Sequence, residues 1–243
     1  MKLFYLIIIP LIISGCSTKQ KEKKADQIKF LKKYNLSLPE PSGLALTFNE
    51  DGFWTVSDDN STVYKLNTQG KIVKKFKVTG EDIEGITVVD EQTLAVVLER
   101  SREAVILDTA GNELRRKKID FEGEKNQGLE GITFNPRNKN FYVLSEKKPG
   151  LLIQLDFELN ELSRDTLNFA KDYSGIYYDS ENDILWIVSD ESKLIAKTDL
   201  KGNLIEKFDI DIIQAEGICI DKARKNIYLV SDKKEELYVY NIN

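Results

Sequence analysis

The amino-acid sequence predicts an all-β fold, a five-bladed β-propeller with four-stranded blades. A motif of Ser or Glu, glycine and an aliphatic residue recurs five times, with its glycine at Gly43, Gly85, Gly131, Gly175 and Gly217. A second apolar run follows each motif and ends in an acidic residue. Each repeat continues with short β-branched and aromatic runs that Gly, Asn and Asp turns separate. Four strands in a repeated unit of roughly 44 residues are typical of a propeller blade.

The strands follow one another in the same order in each repeat. In the first repeat, strand one begins at Gly43, strand two covers residues 53–57, strand three 63–67 and strand four 71–76. The turn 68–70 separates the last two. An open β-sandwich is the alternative fold, but it would not explain the repeat.

The ends of the chain predict that the ring is closed. The fifth repeat stops at Asn243 after its third strand, and residues 28–36, ahead of the first repeat, have the lysine and apolar composition of the missing fourth strand. We expect this N-terminal strand to complete the last blade, because closure leaves no large unpaired sheet edge. Residues 28–243 are therefore predicted to form one β-propeller domain.

The first residues indicate export and a lipid anchor. Residues 1–15 have a basic start and an apolar run that is too short to span a bilayer, as in a signal peptide. The run ends in Ile13-Ser14-Gly15-Cys16, which matches a bacterial lipobox, so Cys16 is the predicted lipidation site. An ordinary signal peptide with a chance cysteine is the alternative.

We expect residues 16–27, the lipidated cysteine and a polar segment, to tether the domain to the membrane of a bacterial cell envelope. Ser17 after the cysteine favours the outer membrane over the plasma membrane.

Composition excludes several classes of chemistry. The 243 residues include no histidine, so His-dependent hydrolases and His-ligated zinc sites are excluded. The net charge of −5 is of the wrong sign for a general nucleic-acid binder. Cys219, in an apolar run, is predicted to be a buried residue rather than a ligand.

Carboxylates are predicted to converge at one mouth of the central channel. In an antiparallel hairpin the start of strand one and the end of strand two lie at the same end. Eight acidic residues occupy these two positions and are the candidate metal ligands: Glu84, Glu130, Glu216, Asp58, Glu99, Glu146, Asp190 and Asp232. Ser42 and Ser174 take the remaining two positions.

A set of oxygen ligands selects hard cations, so calcium is the expected ion, with magnesium or manganese less favoured. A purely structural ring, in which these side chains close turns, is the alternative.

Basic residues follow the acidic positions. We predict that Arg100, Arg102, Lys147, Lys193 and Lys233 contact an anionic ligand beside the metal. Solvated surface charge is the alternative. The aromatic residues Trp54, Tyr142, Trp186 and Tyr228, which share one register in their repeats, are assigned to blade packing.

The pattern resembles a known family. The segment Glu216-Gly217-Ile218, the strand end Val230-Ser231-Asp232 and the lipobox together resemble the SdiA-regulated family of bacterial envelope β-propellers. The resemblance implies an envelope propeller with calcium as its expected ion and no assigned activity. More distantly, the architecture is similar to gluconolactonase-type and calcium-dependent phytase-type propellers, although the asparagine of the lactonase pattern recurs at no inner position.

Two functions follow from these observations. The favoured one is a monomeric, lipid-anchored binding or scaffold module that holds a small molecule or protein at the channel mouth. The alternative is a divalent-metal-dependent hydrolase of the phosphoesterase or lactonase type, in which a carboxylate takes the proton. Glu84, Glu130 or Glu216 would have to be that base, since histidine is absent.

Overall fold

The computed structural model describes residues 27–120 and 127–242, and these residues form five antiparallel four-stranded sheets. Blade 1 consists of β2 (Pro41–Leu46), β3 (Gly52–Ser57), β4 (Thr62–Asn67) and β5 (Ile72–Lys77). Blade 2 consists of β6 (Ile83–Val88), β7 (Thr93–Leu98), β8 (Glu103–Asp108) and β9 (Glu113–Lys118).

Blade 3 consists of β10 (Leu129–Asn135), β11 (Asn140–Ser145), β12 (Leu151–Leu155) and β13 (Glu161–Thr166). Blade 4 consists of β14 (Gly175–Asp179), β15 (Ile184–Ser189), β16 (Leu194–Thr198) and β17 (Leu204–Asp209). Blade 5 consists of β18 (Ala215–Asp221), β19 (Asn226–Ser231), β20 (Glu236–Ile242) and the N-terminal strand β1 (Ile28–Asn35).

The position of a strand in its blade determines its composition. Strand two of each blade is buried on both faces, because every blade is packed between two others; all six residues of β3 are buried, for example. Such strands read as continuous apolar runs rather than alternating ones. The outermost strands are largely exposed and rich in charge, as in β5.

The repeated glycines allow the innermost strands to approach one another closely. A Cβ atom at Gly43 would lie 2.6 Å from the carbonyl oxygen of Glu84, and one at Gly85 would lie 2.7 Å from that of Glu130. Gly217 closes the circle, since its Cβ would lie 2.6 Å from the carbonyl oxygen of Ser42. Only glycine leaves room for this backbone contact between neighbouring blades.

Five separate hydrophobic clusters hold the blades together, one at each blade-to-blade interface. The four aromatic residues of the shared register are buried in these clusters, with Trp186 stacked on Phe208. Cys219 is fully buried in the cluster between blades 5 and 1, and burial raises the pKa of its thiol. The core thus lies between the blades, and the inner strands are left to line the channel.

The N-terminal strand completes the last blade, as the sequence predicts. β1 pairs antiparallel with β20, and Ile28 lies opposite Ile242. The backbone N–H of Leu36 continues the pairing by donating to the carbonyl of Glu235 at 2.7 Å. The five-bladed propeller predicted from the repeats is therefore confirmed.

The predictions for the N-terminus lie outside the described residues. These are the signal peptide of residues 1–15, the lipidation of Cys16 and most of the tether. In the two described stretches, no helix has the length and apolar character needed to cross a membrane.

Candidate functional site

The acidic positions of the five repeats surround one cavity. It has a volume of about 340 Å³ and lies where the innermost strands begin and the second strands end. All eight predicted carboxylates line it, together with both predicted serines: Asp58, Glu84, Glu99, Glu130, Glu146, Asp190, Glu216, Asp232, Ser42 and Ser174. We call this cavity the acidic mouth. These ten side chains thus lie at one mouth of the channel, as expected from the pairing of strands one and two.

An irregularity in the innermost strands places the inner carboxylates at the acidic mouth. In blade 2, Ile83 pairs with Leu98 and Gly85 with Val97, so Glu84 has no partner across the ladder. Equivalent register shifts occur at the start of β2, β10 and β18. A β-bulge of this kind re-aims a side chain and frees it from strand pairing.

Three carboxylates from blades 2 and 3 come together at one side of the mouth. Oxygens of Glu99, Glu130 and Glu146 all lie within 4.8 Å of one another. Glu130 is only 9% exposed, and no hydrogen bond or ion pair to its side chain occurs within the described part of the chain. Burying an ionised carboxylate without a partner is unfavourable, so this position favours either a proton or a cation on Glu130.

The pKa values of the inner carboxyls reflect this environment. Burial, followed by the nearby charges of Asp58 and Glu99, raises the pKa of Glu84 to about 8, although a hydrogen bond from the Ser42 hydroxyl at 2.6 Å opposes the shift. Burial also raises the pKa of Glu130 and of Glu216 well above the ordinary value. With a pKa of about 8, Glu84 holds a proton at neutral pH that a bound cation would displace.

The outer carboxyls of the mouth are less uniform. Burial raises the pKa of Asp58 to about 7, with further contributions from Glu40 and Asp232. Burial likewise raises the pKa of Asp232, whose Oδ2 accepts a hydrogen bond from Gln214 Nε2 at 3.0 Å. Asp232 Oδ1 is buried without a hydrogen-bond partner in the structure. Asp232 therefore has one carboxylate oxygen that is hydrogen-bonded within the protein and one that is available to a cation.

The hydroxyl groups of the two serines at the mouth donate hydrogen bonds to different kinds of acceptor. Ser42 donates to Glu84 across the interface of blades 1 and 2, whereas Ser174 Oγ donates to the carbonyl of Ala215 at 2.7 Å. Ser42 thus contacts a candidate ligand, and Ser174 joins two blades.

Only one of the five predicted basic residues lines the acidic mouth. Lys147 Nζ lies 2.6 Å from Glu146 and 2.9 Å from Glu191, and these contacts raise the pKa of Lys147. The other four, Arg100, Arg102, Lys193 and Lys233, are not on the wall of the cavity. Contact of these residues with an anionic ligand stays a prediction, and of the five only Lys147 lies on the cavity wall.

The basic residues lie in the turn between strands two and three. This turn follows the acidic residue directly and closes tightly, as when the N–H of Lys193 bonds the carbonyl of Asp190. Arg102 and Lys193, three positions beyond the acidic residue, are not on the cavity wall, whereas Lys147 and Glu191, directly after it, are. Arg100 pairs instead with Asp82.

Four polar residues at the mouth were missed by the sequence reasoning, namely Glu40, Asp172, Glu191 and Gln214. Three of them lie three positions before the repeat glycine, where the other two blades carry Asp82 and Gly128. Asp172 accepts hydrogen bonds from the backbone N–H groups of Asp190 and Glu191, both at 3.1 Å. The recurrence of polar residues at this position is the signal that could have identified them.

The other end of the channel has a different character. Its cavity, of about 190 Å³, is lined by threonines and by apolar and aromatic residues such as Phe48 and Phe134, with Glu50 as its acidic member. Carboxylates are thus concentrated at one mouth.

Two solved structures have a fold similar to that of this chain. Glutaminyl cyclase of Myxococcus xanthus is similar over 90% of this chain and 97% of its own, with a TM-score of 0.71 and 12% sequence identity. The β-propeller domain of Cps50 (Swd1) from Myceliophteria thermophila is similar over 82% of this chain and 65% of its own, with a TM-score of 0.52 and 13% identity. At these identities the similarity concerns the fold alone.

The sequence profile of one family covers nearly all of the propeller. The SdiA-regulated profile matches residues 28–239, from the first residue of β1 into β20, and so includes all five repeats and the acidic mouth. The chain belongs to the SdiA-regulated family.

Proposed function

We propose that this protein is a lipid-anchored binding module of the bacterial cell envelope that holds a divalent cation, calcium, at the acidic mouth. The unpartnered, nine-tenths-buried carboxylate of Glu130, with Glu99 and Glu146 close by, is the observation that carries the proposal. A cation at this point would neutralise a buried charge that nothing else in the described chain neutralises.

The donor set favours calcium. Glu99, Glu130 and Glu146 offer only carboxylate oxygens, which lie within 4.8 Å of one another, and calcium takes about six to eight oxygen ligands in flexible geometry. Magnesium demands a near-ideal octahedral set and gives up its water ligands reluctantly. Glu99, Glu130 and Glu146 would be the ligands, and the ion would supply the charge that orients a small molecule or protein at the mouth.

The cellular setting of the proposal rests on the N-terminal sequence. The lipobox at Cys16 supports attachment to a membrane of the envelope, with the outer membrane favoured. The charge of the acidic mouth argues against nucleic acid as a ligand, because phosphates would meet eleven carboxylates. We propose that the protein acts as a monomer.

A second candidate is an enzyme, favoured by the pKa of Glu84. A carboxyl group with a pKa of about 8 carries a proton at neutral pH and can act as a general acid, while an ionised neighbour acts as base. The similar structure named glutaminyl cyclase adds cyclisation of an N-terminal glutamine to the phosphoesterase and lactonase types already considered.

Calcium titration combined with thermal melting tests the binding proposal. A site present only in the folded ring raises stability by about 2.7 kcal/mol when calcium reaches 100 times its dissociation constant. We expect Glu130→Gln to remove most of the calcium-dependent rise in melting temperature. Glu181→Gln, which changes an exposed carboxylate in the turn after β14, should leave the rise intact. No rise with calcium, magnesium or manganese would exclude the metal site.

The enzyme candidate has its own test. Phosphoesters, lactones and peptides with an N-terminal glutamine are offered to the wild type and to Glu84→Gln. Turnover that Glu84→Gln lowers at least about tenfold would support a catalytic carboxyl. Absence of turnover with a normal calcium response would leave the binding module as the function.

A further inference from the structure

The outer strands of the five blades differ sharply in charge. β1 and β5 each carry three lysines and no acidic residue, and β9 carries two arginines and two lysines with one glutamate. In contrast, β13 and β17 each carry two acidic residues and one basic residue. The perimeter of the disc is therefore basic over blades 5, 1 and 2 and mildly acidic over blades 3 and 4.

Most of the charge without a carboxylate partner lies on β1 and β5, although Lys33 on β1 pairs with Glu236. On β9, Arg115 and Arg116 are paired with glutamates, whereas on β5 Lys74 and Lys77 donate to backbone carbonyls and keep their charge. In the part of the chain that the structure describes, Lys29, Lys32 and Lys75 have no carboxylate partner. We call β1, β5 and the adjacent Lys71 the basic edge.

The two strands of the basic edge belong to the neighbouring blades 5 and 1, and the turn before β5 packs against the end of β1. A Cβ at Gly70 would lie 3.7 Å from the Cβ of Tyr34. The two strands thus approach each other at this end, and a cavity of about 330 Å³ opens beside Lys75 and Lys77 on β5.

Exposed apolar side chains are interleaved with these lysines. Phe30 and Leu31 on β1 are each 48% exposed, and Val73 on β5 is 63% exposed. Apolar residues beside lysines are typical of a surface that lies at a lipid interface, where the chains enter the headgroup region and the ammonium groups meet phosphates. The phosphates of a nucleic acid would be attracted to the lysines, but a nucleic acid would bury little of the apolar surface of Val73 and Leu31.

The position of the N-terminal segment supports the same partner. The predicted tether, residues 16–27, begins at Cys16 and joins the propeller at Ile28, on the basic edge itself. We propose that the basic edge rests on an anionic phospholipid surface. The channel axis then runs along the membrane, and both mouths stay open to solution. This inference depends neither on calcium at the acidic mouth nor on lipid at Cys16.

Vesicle co-sedimentation tests the proposal on the propeller alone, residues 28–243, because the five sheets and interblade clusters lie within this range. We expect it to bind phosphatidylcholine vesicles that contain phosphatidylglycerol and not those of phosphatidylcholine alone. Binding should weaken as salt is raised. Charge reversal of four edge lysines to glutamate should weaken binding by about tenfold or more: Lys29, Lys32, Lys71 and Lys75.

A matched control separates the edge from net charge. It reverses four exposed lysines away from the edge, with the same change in total charge: Lys139, Lys171, Lys201 and Lys225. This control should keep more binding than the edge variant.

Equal loss in both variants, or no binding of the wild type to anionic vesicles, would overturn the proposal. So would tight binding to duplex DNA without binding to vesicles. Melting curves of both variants confirm that they fold.

Discussion

Glu130 is the residue on which the metal proposal depends most directly. Its neighbours Glu99 and Glu146 lie on the rim, where water solvates part of their charge, whereas Glu130 is buried among other carboxylates. Removing its charge should therefore cost little in folding and much in cation affinity. For this reason Glu130→Gln is a better test than a substitution at the rim.

The raised pKa values predict how stability depends on pH. The folded-state pKa values of Glu84 and Asp58, about 8 and about 7, exceed the unfolded values of about 4. Between these limits the folded protein holds more protons than the unfolded one, so the free energy of unfolding falls as pH rises. In a chelator, we expect the melting temperature to decrease from pH 5 to pH 8.

Glu84→Gln supplies the control for this dependence. Glutamine does not ionise but can still accept the hydrogen bond from Ser42, so the decrease between pH 5 and pH 8 should become smaller. A melting temperature that rises over this range in the wild type would contradict the assignment.

Some residues of the acidic mouth could be predicted from the repeat pattern, and others could not. The carboxylates at the two recurring positions were predictable, because strand pairing alone brings them together. The position of the basic residues was not, since it depends on the turn between strands two and three: Lys147 lines the mouth, whereas Lys193 does not. Asp172 and Gln214 lay at a recurring polar position that the acidic pattern did not include.

At the scale of the element, the innermost strand serves two purposes. Its glycine brings neighbouring blades into backbone contact, and the β-bulge beside it releases a carboxylate into the mouth. Both features lie within three residues, as in Ile83-Glu84-Gly85. In the recurring Glu-Gly pair, the glycine thus allows the blades to approach each other, and the glutamate supplies a carboxylate to the mouth.

The close approach predicts graded effects of substituting these glycines. Gly85→Ala places a Cβ 2.7 Å from the backbone carbonyl oxygen of Glu130, which cannot move without displacing β10. We expect a loss of about 1–3 kcal/mol in the free energy of unfolding, measured by urea denaturation.

Gly131→Ala is the matched comparison for this loss. Its nearest contact would be the methyl Cγ2 of Ile176 at 3.0 Å, a side-chain atom that can shift, so it should lose less stability than Gly85→Ala. Equal losses at the two sites would show that backbone contact is not the determining factor.

At the scale of the whole molecule, the ring is closed by strand pairing and not only by packing. β1 belongs to the last blade although it begins the propeller, so the two ends of the domain are joined by hydrogen bonds. The pairing of β1 with β20, which we call the clasp, stabilises the closed ring and protects the edge of β20 from pairing with another chain.

Circular permutation tests the role of the clasp. Because Ile28 lies opposite Ile242, a tight Asn-Gly turn can link the ends of the propeller, and the chain can be opened between the exposed Gly80 and Glu81. We expect the permuted protein to fold and to keep its calcium response, with a lower melting temperature because no strand then crosses between its ends. A permuted protein as stable as the original would show that interblade packing alone closes the ring.

The whole molecule also has a division of charge that no single repeat displays. Carboxylates meet at one mouth, while unneutralised lysines collect on the perimeter of blades 5 and 1. An acidic face and a basic edge, separated by buried sheets, can bind a cation and an anionic surface without competition between the two.

The sequence by itself determined the five blades, the closing strand and eight of the eleven carboxylates at the mouth. These properties follow from the repeat and from strand pairing, which act over short distances along the chain. Only the tertiary structure decided that Glu130 is buried without a partner, that Lys147 alone among the predicted basic residues lines the mouth, and that the end of β1 contacts the turn before β5. These depend on how neighbouring blades and turns pack, and a repeat pattern carries no information on that packing.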